Sequence, residues 1–312
     1  MSTADVSKKT LLSVNDLCMY FDSAGKRVKA AEHVSFEINE GEVFGLVGES
    51  GSGKSSIGKC IIGLNRPTSG SILFRGTELT GIKSRREYID KMRDIQMIFQ
   101  DPMSSLNPRK QVGQIINDAL KIQHIGSGAE ERGRMVSDAF RRVGIPVEYT
   151  DRYPRSFSGG QRQRIGIARA LAGAPKLVIA DECIAALDAS VQAQIVNMIN
   201  EIKKETGTAF LFISHDLSMV RFLSDRIGVL HLGYMLETGT ADDIFREPIH
   251  PYTRKLLGAI PRLNPVVQNM SGDDDTSGSI LYSEGTWHQL SPTHGVLCTD
   301  SELEKWSEDD EE

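Results

Sequence analysis

Gly48-Glu49-Ser50-Gly51-Ser52-Gly53-Lys54-Ser55 decides how the rest of the chain is read. It follows the short apolar run Val43 to Val47 and precedes Ser55 to Leu64, whose small and apolar residues suit a helix packed on a sheet. A glycine-rich loop between a strand and a helix is the setting of a phosphate-binding loop, and a flexible Gly/Ser connector is the bland reading it displaces. Gly48, Gly51 and Gly53 remove side chains so that backbone N–H groups can wrap phosphates. Ser50, Ser52 and Ser56 complete the candidate set. The helix N-terminus adds a positive dipole. Lys54 can reach the β- and γ-phosphates, and the Ser55 hydroxyl can ligate Mg²⁺.

Four further motifs follow in a fixed order. Gln100-Asp101-Pro102 comes after the apolar Ile98-Phe99. Phe157-Ser158-Gly159-Gly160-Gln161-Arg162-Gln163-Arg164 reads as a turn followed by a basic helix start, yet positive charge there opposes the helix dipole, so a plain turn does not account for the arginines. Leu177-Val178-Ile179-Ala180 ends in Asp181-Glu182. Taken alone, two acids at a strand end either cap the next helix or serve phosphoryl transfer, with Asp181 on Mg²⁺ and Glu182 polarising a water. His215 lies beyond the apolar strand Phe210 to Ile213, and a lone histidine there would be an ordinary loop residue.

Between the motifs, Leu11 to Phe21 and Val28 to Ile38 alternate as strands of a small antiparallel sheet. Leu177 to Ala180 and Ala209 to Ile213 read as buried parallel strands, with Ser190 to Lys203 as the helix joining them. Ser84 to Arg93 is charged and helical, and Gln111 to Gly144 carries apolar residues at helical spacing. Strands alternating with helices predict an α/β fold with a largely parallel sheet, into which the helical zone is inserted.

At 312 residues the chain can bury a sizeable core. No apolar run approaches the roughly 18–20 residues of a membrane span, and the polar start, Met1 to Thr10, shows no signal peptide. Cys18, Cys60, Cys183 and Cys298 are scattered, as suits a reducing cytosol. The net charge of −6 is uneven: from Ser271 onward there are 12 acidic residues and one basic, Lys305, a local charge of −11, which leaves +5 on residues 1–270. That pattern predicts a polar linker at Ser271 to Ser279 and a solvated, partly disordered acidic tail. No basic patch points to nucleic acid.

The five motifs in this order resemble the ATP-binding cassette (ABC) family, from Leu11 to about Pro261. The resemblance implies a P-loop (RecA-like) α/β core with an antiparallel β-subdomain, an inserted α-helical signature subdomain at about 101–172 and a C-terminal extension: an ABC ATPase domain at 1–262, then 263–312. It implies ATP and Mg²⁺, the latter on Ser55, Gln100 and Asp181. Lys54, Glu182 and His215 take catalytic roles, with His215 on the γ-phosphate. Ser158, Gly159, Gly160 and Gln161 cap the γ-phosphate of ATP held by another subunit, and Leu187-Asp188 crosses that interface. The adenine stacks on an aromatic upstream of the loop, Tyr20 or, alternatively, Phe21.

Gln100 to Pro108, Phe157 to Leu171, and His250-Pro251-Tyr252-Thr253 with Leu256, Ala259 and Pro261 look like the ATPase subunits of bacterial oligopeptide, dipeptide and nickel importers, nearest the F-type subunit of an oligopeptide permease. That implies a heterodimer with a D-type ATPase, two transmembrane permeases, an extracellular substrate-binding protein, and a peripheral position on the cytoplasmic face of the cell membrane. A soluble cassette ATPase without a membrane partner, or an importer of a non-peptide substrate such as nickel, is the alternative. The chain departs from the family at Cys183, where proline is usual, at Ala185, where serine is frequent, and at Arg155-Ser156, usually His-Glu. With Cys298 alone in the C-terminal region, no iron–sulfur cluster is expected. Cys183 reads as a structural thiol rather than a redox switch.

Overall fold

The computed structural model describes residues 9–23, 26–82, 84–101, 105–185, 187–259 and 282–308. One sheet holds β1 (Thr10–Ser23), β2 (Lys26–Asn39), β4 (Ser69–Phe74) and β5 (Thr77–Glu78) in the order β2-β1-β4-β5, all antiparallel. The larger sheet holds β3 (Val43–Val47), β6 (Ile95–Ile98), β7 (Leu177–Asp181), β8 (Ala209–Ser214), β9 (Arg226–His231), β10 (Tyr234–Thr240), β11 (Thr286–Gln289) and β12 (Gly295–Cys298). Its order is β11-β12-β10-β9-β3-β8-β7-β6. The five strands from β9 to β6 are parallel, and the other three join antiparallel at one edge.

The apolar runs of β3, β7 and β8 are continuous because both faces of the sheet are covered. Side chains alternate between faces. Leu177, Ile179, Leu211 and Ile213 enter a core shared with the antiparallel sheet and α1 (Lys54–Ile61). Val178, Ala180, Phe210 and Phe212 enter a second core on the opposite face. Burying each phenylalanine contributes about 1.5–3 kcal/mol. On α1, Gly58 lets the helix approach the sheet: a Cβ there would lie 3.0 Å from Ile213 Cδ1 and 3.2 Å from Ile179 Cγ2.

Before β6 lies α2 (Arg85–Met92), capped by the Ser84 hydroxyl. Between β6 and β7 come α3 (Val112–Ile122), α4 (Ala129–Arg142) and α5 (Gly159–Leu171), whose Ile116, Phe140 and Ile165 share the second core. The helical zone is thus two helices before the signature, broken around Gly126 at φ 82°. After β7 follow α6 (Ala189–Thr206), α7 (Leu217–Leu223), α8 (Ala241–Arg246), α9 (Pro251–Gly258) and α10 (Asp300–Glu308). Among the described residues no helix is long and apolar enough to cross a membrane.

The charge pattern predicts a solvated tail from Ser271, but its described part, 282–308, is folded. β12 pairs with β10, β11 adds the last strand, and Val296, Cys298 and Trp306 bury a small core of their own. Buried Glu237 of β10 accepts from His294 Nε2 at 2.8 Å, fastening the hairpin. The few inward apolar residues are masked in composition by the acidic outer face. The linker Ser271 to Ser279, with Pro261, Arg262 and residues 309–312, lies outside the described residues, as do Pro102, Met103, Ser104 and Ala186.

Candidate active site

β3 delivers the glycine loop into a slot between β2 and the turn after β9. Gly48 has φ 149° and a Cβ there would stand 2.0 Å from the Leu230 carbonyl oxygen. Gly53 has φ 107° and its Cβ would stand 1.8 Å from the Ala30 oxygen. Neither position admits a side chain. Gly233 N–H donates to the Ser52 carbonyl at 3.0 Å, closing the other side. Lys54 curls back into the loop, donating to the carbonyls of Gly48 at 2.8 Å and Glu49 at 2.7 Å and to Ser52 Oγ at 3.2 Å. It is 3% exposed. Burial pulls its ammonium below the usual lysine range, with Glu182 and Asp181 countering in part. Ser50 is exposed, Ser56 is half-buried in the first turn of α1, and nothing lies within 4 Å of a Cβ built on Gly51. The loop fits a polyphosphate: side-chain-free backbone, a helix N-terminus and one buried cation whose present partners are loop oxygens.

Ser55 Oγ donates to Asp181 Oδ1 at 2.7 Å. Burial raises the Asp181 carboxyl above the usual aspartate range, against the Ser55 hydrogen bond and the Lys59 charge. A hydroxyl and a carboxylate this close form a hard-oxygen pair that would suit Mg²⁺. Glu182 carries the next carboxylate at φ 44°, a left-handed backbone uncommon outside glycine. Its N–H donates to Ile213 O at 3.0 Å. Its Oε2 accepts from Gln100 Nε2 at 2.8 Å, and its Oε1 lies 3.2 Å from His215 Nδ1. The ends of β6, β7 and β8 therefore converge on one carboxylate. The following turn closes without the proline: Ala185 N–H donates to Glu182 O at 3.3 Å. Cys183 is buried, and burial pushes its thiol up to about 12, which suits a structural thiol.

The signature residues sit elsewhere. Ser158 is the N-cap of α5 and closes a capping box: Gln161 N–H donates to Ser158 Oγ at 3.3 Å, and Ser158 N–H donates to Gln161 Oε1 at 3.0 Å. The capping bond engages one lone pair of the serine oxygen and leaves its O–H to donate. A Cβ on Gly160 would meet Val191 Cγ1 at 2.9 Å, whereas one on Gly159 meets nothing within 4 Å. The arginines have structural partners, so an anion is not needed to explain them. Arg162 donates to Phe157 O at 2.7 Å, Arg164 to Val143 O at 3.1 Å, and Arg169 to Ser105 O. Asp188 is the N-cap of α6, accepting from Val191 N–H at 3.0 Å and Ser190 Oγ at 2.7 Å. Ser158, Gln161 and Asp188 thus make these bonds inside their own helix starts.

Tyr20 is half-buried on β1, paired with Lys29 next to the Ala30 that packs on Gly53. Arg27 and Lys29 place their cations 5.6 and 6.0 Å from its ring centroid, and a hydrogen bond with Glu32 raises its phenol pKa. Phe21 is 39% exposed. Two contacts of the loop escape the sequence reading. Glu49 supplies a carbonyl to Lys54, and its N–H donates to the Tyr252 hydroxyl at 3.2 Å. Only the His-Pro-Tyr-Thr motif marked Tyr252 beforehand, as a branch feature and not as a neighbour of the loop.

Comparison with known proteins gives the family. The ABC transporter family matches residues 31–185, and the oligopeptide/dipeptide transporter C-terminal region matches residues 236–277. The chain is 46% identical over 301 residues to the oligopeptide transport ATP-binding protein OppF of Bacillus subtilis (strain 168), covering 95% of this chain and 99% of that protein. It is 44% identical over 299 residues to the oligopeptide transport ATP-binding protein AmiF of Streptococcus pneumoniae, covering 95% and 97%. The ATP-binding cassette MJ0796, solved as a dimer in a post-hydrolysis state with ADP and Pi, superposes with a TM-score of 0.68 at 26% identity, covering 74% of this chain and 99% of that one.

Proposed function

The chain belongs to the ABC transporter family as an ATP-hydrolysing subunit that powers oligopeptide import, and from that premise we propose how its residues divide the work. The observation that carries the reading is Glu182, held between Gln100 and His215 beside the Ser55–Asp181 pair. The loop amides from Gly51 to Ser55 and the Lys54 ammonium hold the β- and γ-phosphates, with Lys54 exchanging its loop carbonyls for phosphate oxygens. Ser55, Gln100 and Asp181 would hold Mg²⁺, which would supply charge to offset that developing on the transferred phosphoryl group. Glu182 orients the attacking water and accepts its proton, and His215 donates to the γ-phosphate. Tyr20 offers its ring to the adenine.

The signature completes another subunit's site. The Ser158 hydroxyl, the Gly159 and Gly160 amides and the α5 dipole form a ready anion cap at an uncovered helix start. We assign the second subunit as a D-type ATPase, so that two Mg·ATP are enclosed between two different chains. Two transmembrane permeases and an external substrate-binding protein complete the importer, with this subunit on the cytoplasmic face. Gln100 lies where closure can be passed on: the loop beyond it is tied to α5 through Arg169 and Ser105.

The test is purification of this chain from gently solubilised native membranes, followed by reconstitution of whatever accompanies it. Two polytopic permeases, a second cassette ATPase and ATP-dependent uptake of labelled oligopeptide are expected. Recovery from the soluble fraction with ribosomes or nucleic acid would overturn the importer assembly.

A further inference from the structure

The His250-Pro251-Tyr252-Thr253 segment has no part in the scheme above, yet its conformation is closely determined. His250 caps α9: its Nδ1 accepts from Tyr252 N–H at 3.0 Å, and its own N–H donates to Glu237 Oε2 at 3.1 Å. Pro251 occupies the first turn of the helix, where its missing N–H is no loss. Tyr252 is thereby set at 7% exposure with its hydroxyl accepting from Glu49 N–H, across 203 residues of sequence.

Glu49 is gripped on two sides, its N–H by Tyr252 and its carbonyl by Lys54. The tyrosine ring is itself backed. His231 stacks on it with centroids 4.0 Å apart and planes 25° from parallel. His231 Nδ1 lies 2.7 Å from the hydroxyl of Tyr282, the first described residue of the C-terminal extension. The turn that follows His231 also carries the Gly233 N–H that holds Ser52. An unbroken path of contacts thus runs from the extension to the phosphate loop.

We propose that Tyr252 is a positioning residue for nucleotide binding: its hydroxyl fixes Glu49, and with it the phosphate loop and Lys54, while Tyr282 and His231 keep its ring in place. The proposal rests on the reading of residues 48–55 as the ATP phosphate loop. A preset loop lowers the cost of ordering on binding. Removing the hydroxyl leaves the Glu49 N–H without its partner. The bonds of Glu182 described above go to Gln100, His215, Ile213 and Ala185 and not to Tyr252, so the effect falls on binding and not on the chemical step.

Tyr252→Phe in the full chain, assembled with its partners, keeps the ring and its stack on His231. It should raise KM for ATP about tenfold while kcat stays within about twofold. Tyr282→Phe should raise KM about threefold, and Tyr252→Leu, which loses ring and hydroxyl, at least as much as Tyr252→Phe. An unchanged KM in Tyr252→Phe, or a loss confined to kcat, overturns the proposal. A wild-type assembly that hydrolyses no ATP would instead unseat the phosphate-loop reading, so the two failures are distinct. Should the variants not fold, amide exchange in the nucleotide-free wild-type subunit decides: the Glu49 amide should be protected, and exchange as fast as that of an exposed amide overturns the proposal.

Discussion

The strand ends and the helix starts hold their charged and polar groups in opposite conditions. At the strand ends and in the glycine loop that β3 leads into, burial drives Lys54 down and Asp181 up, each toward its neutral form, and Glu182 sits at φ 44°. At the helix starts, Ser190 and the Val191 amide hold the Asp188 carboxyl below its usual range, and Ser158 closes a capping box. The first region is electrostatically and conformationally strained; the second is relaxed and faces outward. The difference teaches what each lacks. On the proposed scheme phosphate and a divalent cation would relieve the strand ends, since a ligand that binds only the folded state stabilises it by mass action. On the same scheme the helix starts need only an anion brought to them, and a second subunit brings it.

The largest effect should come from Glu182→Gln. If strain at Glu182 serves hydrolysis, kcat of the assembled complex falls about 10²–10⁴-fold while ATP binding is retained. Phosphate release measures this, and near-normal turnover breaks the comparison. Lys54→Ala should weaken ATP binding about 100-fold, since a charge-assisted contact to phosphate is worth roughly 1.5–3 kcal/mol. Calorimetric titration of the subunit checks it; undiminished affinity would remove the ammonium from the phosphate site. Ser158→Asn keeps a good N-cap and deletes the hydroxyl. It should lower hydrolysis by the complex about tenfold, leaving ATP affinity of the isolated subunit unchanged. A loss of affinity in the isolated subunit would place the signature in its own site and erase the distinction between the two regions.

What was legible in the sequence follows the same division. The strand ends announce themselves because buried parallel strands read as unbroken apolar runs: Val43 to Val47 is β3, and the runs ending at Asp181 and Ile213 lie within one residue of the ends of β7 and β8. The motifs then mark Lys54, Asp181, Glu182, Gln100 and His215, which the fold gathers beyond the carboxyl ends of β3, β6, β7 and β8. Three things stayed hidden. The φ of Glu182 is imposed by its tertiary setting and leaves no mark on residue type. The Glu49–Tyr252 bond joins distant segments, and no periodicity encodes it. The C-terminal hairpin buries only a few side chains, among them Val296 and Cys298, so its acidic surroundings set the pattern. The arginines after Ser158 mislead in the other direction, since their charge suggested a ligand and their partners are mostly backbone carbonyls.

The smallest predicted effect is thermodynamic and tests the strain itself. The folded-state pKa of Asp181 lies above its usual 3.8, so the folded state takes up a proton at a higher pH than the unfolded chain. Its ionised carboxylate therefore opposes folding near neutral pH, and the opposition fades as pH falls through the raised value. Asp181→Asn removes the charge at every pH and keeps an oxygen to accept from Ser55. In the absence of nucleotide and Mg²⁺, it should be more stable than the wild type near neutral pH by about 1 kcal/mol, the common scale of stability given up at functional sites. The gain should shrink as acid is added within the window just above 3.8. Asp188 runs the other way: its lowered pKa makes the ionised form stabilising above 3.8, and that contribution disappears below it, so Asp188→Asn should be the less stable variant near neutral pH. Denaturant titrations at several pH values compare the two directly. With Mg·ATP the order for Asp181 should reverse, because the wild type gains ligand stabilisation that the asparagine variant forgoes. A pH-independent destabilisation by Asp181→Asn without ligand would mean that the strand ends are no more strained than the helix starts.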